Sequence, residues 1–238
     1  TDGLQKPPAY YPENVRLNKV GYESLDTVMD RAMTPMSPEA FEAAANETDA
    51  LILDTRHQSE FIHGFIPQSI FIGIKGSFAM WVGAMIPDIN QKLLVVADPG
   101  MEEEVLTRLS RVGYDQTIVY LEGGFDAWTK AGKEIDSLEQ ITAEGLKEVQ
   151  SPGVVDVRKD GEYLSEHMPT AIHASLEYIN DRMGDIPSED TFYIHCAGGY
   201  RSVIAASILK ARGFQRIMIE LIWTCRPSVY LYIWGVDT

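Results

Sequence analysis

Three short runs of apolar residues occur twice along the chain, separated by polar stretches with helical spacing. In the first copy they are Ala50–Leu53, Leu93–Ala97 and Thr117–Leu121. In the second they are Val154–Val155, Phe192–Ile194 and Arg216–Leu221. Apolar runs of this length without alternation predict strands buried on both faces. Helices between such strands predict an α/β fold, each domain a short, mostly parallel sheet flanked by helices on both faces. Each copy opens on a helix start, Ser37-Pro38-Glu39 before Phe41 and Thr142-Ala143-Glu144 before Leu146. The hydroxyl accepts the free amides of the first turn, and Pro suits the first helical position. In open parallel sheets ligands sit at the carboxyl ends of the strands, which directs attention to the loops after Ala97 and after His195.

The duplication is explicit in the residues. Segments 51–72 and 153–174 align without a gap at a shift of 102, placing Asp54 on Asp156, Arg56 on Arg158, Glu60 on Glu162, Phe61 on Tyr163, Pro67 on Pro169 and Ile70 on Ile172. Val112-Gly113-Tyr114 falls on Arg212-Gly213-Phe214 at a shift of 100, read as a loss of two residues from the first copy. Two domains are therefore expected, 31–136 and 137–238, with Gly132–Ser137 as linker. Residues 1–30, rich in Pro and Tyr, form a connector outside the repeat. The recurrence of Asp-x-Arg in both copies argues a structural ion pair.

Composition narrows the functional classes. The chain has 238 residues and a net charge of −15, a poor match for nucleic acid or anionic lipid. The longest apolar run, Tyr230–Val236, falls short of the ~18–20 residues of a membrane span. Two cysteines imply a reducing, cytoplasmic setting. The histidines, at 57, 63, 167, 173 and 195, are scattered, so no metal is expected. The N-terminus does not read as a signal peptide and lacks an initiator Met, so a longer parent chain is expected.

The chemistry concentrates in Tyr193-Ile194-His195-Cys196-Ala197-Gly198-Gly199-Tyr200-Arg201-Ser202. A strand delivers Cys196, two glycines let the loop curl with its amides inward, and an Ala-rich helix starts near Arg201. The helix N-terminus and the arginine favour thiolate, the nucleophilic form. The same cradle, Ala197, Gly198, Gly199, Tyr200 and Ser202, would bind an anion attached to sulfur. His195, one residue earlier on the strand, is expected to point away from the loop's centre. Trp81 and Trp128 read as packing residues. In the first copy the corresponding stretch is Ala97-Asp98-Pro99-Gly100-Met101-Glu102-Glu103-Glu104. It is read as two residues shorter, with Asp98 in the cysteine's place, and as catalytically dead.

These residues resemble a tandem rhodanese-type sulfurtransferase. The Cys-Ala-Gly-Gly-Tyr-Arg-Ser loop is similar to that family's six-residue active-site loop, and the Asp-x-Arg strand ends and Leu121-Glu122-Gly123-Gly124-Phe125-Asp126-Ala127-Trp128 also resemble it. The resemblance implies two rhodanese-like domains and a double displacement through a Cys196 persulfide without a cofactor. It further implies Arg201 as catalytic partner, a small-molecule sulfur donor such as thiosulfate or a persulfide, and a thiol or cyanide acceptor. A homodimer is compatible with it. Residues 1–22 resemble the connector of fusions in which a metallo-β-lactamase-fold domain precedes the rhodanese part. Related phosphatases and arsenate reductases carry a longer loop, which makes that reading the weaker one, and a persulfide-binding module without turnover is the other alternative. The second copy ends on Ile219 to Thr238, an aromatic tail, with Cys225 in it, that matches nothing in the first copy.

Overall fold

The computed structural model describes residues 11–21, 24–151 and 153–220. The tail from 221 onward, with Cys225, lies outside the described residues. In chain order the first part has α1 (Tyr11–Val20), α2 (Leu25–Ala32), β1 (Pro35–Met36), α3 (Pro38–Glu47), β2 (Leu51–Asp54), α4 (Gln58–Phe61) and β3 (Ile70–Phe71). It continues through α5 (Phe78–Met85), β4 (Leu93–Val96), α6 (Glu102–Ser110), β5 (Thr117–Leu121) and α7 (Gly124–Lys130). The second part has β6 (Glu139–Ile141), α8 (Ala143–Lys147), β7 (Gly153–Asp156), α9 (Asp160–Ser165), β8 (Ile172–His173), α10 (Ile179–Arg182), β9 (Phe192–His195), α11 (Tyr200–Ala211) and β10 (Ile217–Glu220).

Each copy builds a five-stranded sheet, ordered β1-β5-β4-β2-β3 in one and β6-β10-β9-β7-β8 in the other. Position for position the two orders are the same, so the duplication read from sequence is a duplication of topology. The pairings β2·β4, β4·β5, β1·β5, β7·β8, β7·β9, β9·β10 and β6·β10 are all parallel. The central strands carry the core: Leu93 to Val96 are fully buried, as are Val155 and Ile194. The expected caps form, Ser37 Oγ accepting from the Ala40 N–H at 3.3 Å and Thr142 Oγ1 from the Gly145 N–H at 3.0 Å. Trp81 and Trp128 are buried, and Trp128 packs edge-on against Phe41 at 6.2 Å.

Sequence patterning predicted three strands per copy, and the sheets have five. The missed strands β1, β3, β6 and β8 have two or three residues each, too few to show a period, and β6 is largely exposed. Structure also begins earlier than the expected boundary at residue 31. Helix α2 starts at a Ser24 cap, buries Val28 and Ala32, and Arg31 donates to the Asp115 carbonyl at 2.6 Å.

Packing divides the chain into two units: residues up to His57 with Ile72–Ile135, and Gln58–Phe71 with residues from Asp136 onward. Segment 58–71 thus supplies β3 to the first sheet while grouping with the second unit by packing. Its backbone bonds explain this. Phe65 and Asp136 exchange N–H···O bonds of 2.9 Å in an isolated antiparallel bridge, and the Leu138 N–H donates to the Ile62 carbonyl at 3.0 Å. The Phe71 N–H donates to Ser207 Oγ on α11 at 2.9 Å.

Candidate active site

Strand β9 ends at His195, and Cys196 is the first residue beyond it, at the carboxyl end of a strand held between β7 and β10. Cys196 is only 1% exposed. The loop Ala197-Gly198-Gly199 turns directly into α11, which begins at Tyr200, one residue before the expected start. Gly199 has φ +80°, a left-handed value that favours glycine. Gly198 is not so constrained: it is exposed, and a Cβ there would meet nothing within 4 Å. Ser202, in the first turn of α11, is fully buried, and its Oγ has no hydrogen-bond partner among the described residues. Tyr200 is half-buried and meets Phe71 edge-on at 5.7 Å, and burial pushes its hydroxyl pKa up. The residues predicted to form the cradle are thus contiguous around the N-terminus of a twelve-residue helix, whose first-turn amides lack intrahelical partners.

Arg201 is engaged by a carboxylate. Its two terminal nitrogens donate to Glu162 of α9 at 2.5 and 2.8 Å, a bidentate pair. The Arg201 hydrogen bond holds the Glu162 carboxyl down at about 2. In return Glu162 holds Arg201 more firmly cationic, and the charge of Cys196 adds to this. The pair ties α11 to α9, and the guanidinium charge is largely met by the Glu162 carboxylate. Glu162 went unassigned in the sequence reading. The Glu60–Glu162 match was its signal, and the missing step was the arginine opposite it.

Asp156 and Arg158 form the pair expected from their recurrence. Arg158 Nε and Nη2 meet the Asp156 carboxylate at 2.6–3.0 Å, and the Arg158 N–H adds a bond of 2.9 Å. Asp54 and Arg56 repeat the arrangement at 2.6–3.1 Å, and burial pushes the Asp54 carboxyl up against the pull of Arg56. His195 faces away from the loop as expected: its Nδ1 lies 2.7 Å from Glu220 Oε2, both side chains 1% exposed. Glu220 was not foreseen, because it lies in the stretch from Ile219 that matches nothing in the first copy.

The register corrects the reading of the first copy. Asp54 pairs with Val96 and Asp156 with His195, and the Thr55 and Val157 N–H groups donate to the Val96 and His195 carbonyls. Ala97, not Asp98, therefore holds the place of Cys196. The following turn closes alike in both copies, Tyr114 N–H to Leu109 O and Phe214 N–H to Leu209 O. Between strand end and that turn the first copy is one residue shorter, not two. It is three residues longer between β2 and β4, so it has gained two in net rather than lost two. The loop remains unsuited to an anion: Glu102, Glu103 and Glu104 open α6, and Glu102 Oε2 already accepts the Gly100 N–H at 2.7 Å.

Among the described residues no cluster of three or more His, Cys, Asp or Glu could hold a metal ion, and no helix is long and apolar enough to cross a membrane.

The chain is 29% identical over 92 residues, 37% of its length, to "Putative sulfur carrier protein YrkF" of Bacillus subtilis, and it spans half of that protein. It is 25% identical over 87 residues, 35% of its length, to "Putative sulfurtransferase YtwF" of the same organism, covering 84% of that protein. Among solved structures, the thiosulfate sulfurtransferase from Pseudomonas aeruginosa aligns with 94% of this chain and 47% of its own, at 17% identity and a TM-score of 0.38. The family model for the rhodanese-like domain matches residues 37–131 and 139–222, one match to each copy, and the chain belongs to the rhodanese-like domain family.

Proposed function

We propose that the chain is a sulfurtransferase that carries sulfane sulfur as a persulfide on Cys196. The observation that carries this reading is the position of Cys196. It follows the end of β9 and stands before the first turn of α11, which carries Arg201. The Cys196 thiolate attacks the outer sulfur of thiosulfate or of a low-molecular-weight persulfide. The S–S bond of the donor breaks, sulfite or a thiolate leaves with the electron pair, and a Cys196 persulfide remains. A thiolate or cyanide acceptor then takes the outer sulfur and returns Cys196 to the thiolate. The helix N-terminus favours the anion at both stages. Neither step requires a cofactor. The names of YrkF and YtwF support sulfur chemistry of this class. The resemblance of residues 1–22 to a fusion connector supports a parent chain in which a metallo-β-lactamase-fold domain oxidises a low-molecular-weight persulfide.

The depth of Cys196, 1% exposed, favours a second reading in which the residue accepts one sulfur and passes it on only to a particular partner. One experiment tests both. The intact mass of the reduced protein is measured before and after exposure to thiosulfate or glutathione persulfide, with Cys196→Ser beside it. Gain of one sulfur, absent in the variant and removed by cyanide or a small thiol with repeated turnover, is the expected result. Gain without turnover selects the carrier. No gain in a folded protein overturns both.

A further inference from the structure

Arg158, Lys159 and Arg201 stand around the Cys196 loop, and each is matched by a carboxylate of its own. The stretch after β7 runs alongside the loop, because the Val157 N–H donates to the His195 carbonyl at 3.0 Å. In that stretch Asp156 holds Arg158 at 2.6–3.0 Å, and Lys159 Nζ lies 3.3 Å from Glu177 Oε1. Arg201, in the first turn of α11, is held by Glu162 at 2.5 and 2.8 Å. Asp160 adds a further carboxylate at the start of α9. Glu162 is not a loose surface partner. It is the third residue of α9, and its Oε2 also accepts the Lys159 N–H at 3.2 Å, closing a capping box. Both of its oxygens are thus committed. The Arg201 fork cannot turn onto a substrate without leaving this fixed carboxylate behind.

What remains for an anion at Cys196 is the partial charge of the α11 N-terminus, about half an elementary charge. That suits the single charge of a thiolate or of a persulfide sulfur. The two candidate donors differ on this point. An organic persulfide brings at most one charge at its reacting sulfurs. Attack by the Cys196 thiolate on its outer sulfur forms the Cys196 persulfide, and the organic thiolate leaves with the electron pair of the S–S bond. Thiosulfate brings two charges. The same attack forms the same Cys196 persulfide and releases sulfite with the electron pair, but the sulfonate group is inside the site throughout.

We propose that Glu162 determines the donor: by matching Arg201 it leaves no counter-charge for a sulfonate and turns the site toward low-molecular-weight organic persulfides. Selectivity then comes from a repulsive element, with no added contact to the favoured donor. The inference rests on Cys196 being the nucleophile that accepts the sulfur.

The test is the second-order rate of sulfur loading onto the reduced protein, followed by intact mass, from thiosulfate and from glutathione persulfide at equal ionic strength. The ratio of the two rates is the readout, because the donors' own reactivities cancel when that ratio is compared between variants. Glu162→Gln keeps the size of the side chain and removes its charge. It is expected to raise loading from thiosulfate about tenfold relative to loading from the persulfide. Arg201→Gln leaves the carboxylate without its cation and is expected to move the ratio the other way. A merely structural Glu162 would slow both donors alike, so an unchanged ratio in Glu162→Gln overturns the proposal. So does a change in favour of the persulfide. Should Glu162→Gln fail to fold, Arg201→Gln decides, and a ratio equal to the parent's overturns the proposal. If the parent protein loads sulfur from neither donor, the transfer reading fails and this inference with it. If it loads sulfur and the ratio does not move, only the donor assignment fails.

Discussion

The guanidinium of Arg201 could serve an anion or a carboxylate, and Glu162 holds both of its terminal nitrogens. The sequence showed a cation five positions after the cysteine, but the identity of its partner depends on α9 packing against α11, a tertiary fact. The pair has a pH signature. The Glu162 carboxyl is lowered from 4.5 to about 2, so the stability it contributes is complete above about 4.5 and is lost as the pH falls toward 2. Glu162→Gln should therefore lower stability at neutral pH, and the gap to the parent should close in urea titrations stepped down through that window. The size should be about 1 kcal/mol or less, since the Glu162 side chain is 38% exposed and solvent screens the pair. The two loop glycines were read alike and differ in fact. Gly199 sits at φ +80°, whereas a Cβ on Gly198 meets open space. Gly198→Ala should leave the unfolding midpoint within about 0.5 kcal/mol of the parent. Gly199→Ala should cost about 1–2 kcal/mol for the left-handed backbone.

At the level of elements, the helix caps and the long central strands were legible because both depend on residues adjacent in sequence. A hydroxyl at Ser37 or Thr142 reaches an amide three residues on, and four apolar residues such as Leu93–Val96 require burial wherever they are. The edge strands β3 and β8 were not legible, because two residues of extended chain are defined only by the neighbour they pair with. The packing of 58–71 with the second unit was hidden for the same reason. It depends on partners distant in sequence, the Phe65–Asp136 bridge and the bond from the Phe71 N–H to Ser207 Oγ. Ser207 would pass for a neutral small residue in an Ala-rich helix. Because its Oγ receives a buried backbone N–H, Ser207→Ala should cost about 1–3 kcal/mol in chemical denaturation. A loss below a few tenths would mean that the Phe71 amide finds another acceptor.

Across the whole chain, the duplication provides an internal comparison between a scaffold with the chemistry and one without it. What both copies share is structural: the sheet order, the Asp-x-Arg pair, and an aromatic trio after it. In the first copy that trio is Phe61 against Phe65 at 4.2 Å and Phe71 at 5.0 Å. In the second it is Tyr163 against His167 at 3.8 Å and His173 at 4.1 Å. The copies diverge at the strand end that matters. Val96 and Ala97 stand where the second copy has His195 and Cys196, and Glu102 occupies the Gly100 amide that an anionic sulfur would need. Restoring the nucleophile alone should therefore restore nothing. In a Cys196→Ser background, Ala97→Cys is expected to show no gain of sulfur mass with thiosulfate or glutathione persulfide, although the protein folds. Adding Glu102→Gln and Glu103→Gln should remove the repulsion without supplying an arginine, so at most weak uptake is expected. Full uptake at position 97 in the single replacement would show that strand-end placement suffices, and that the arginine is dispensable for loading sulfur.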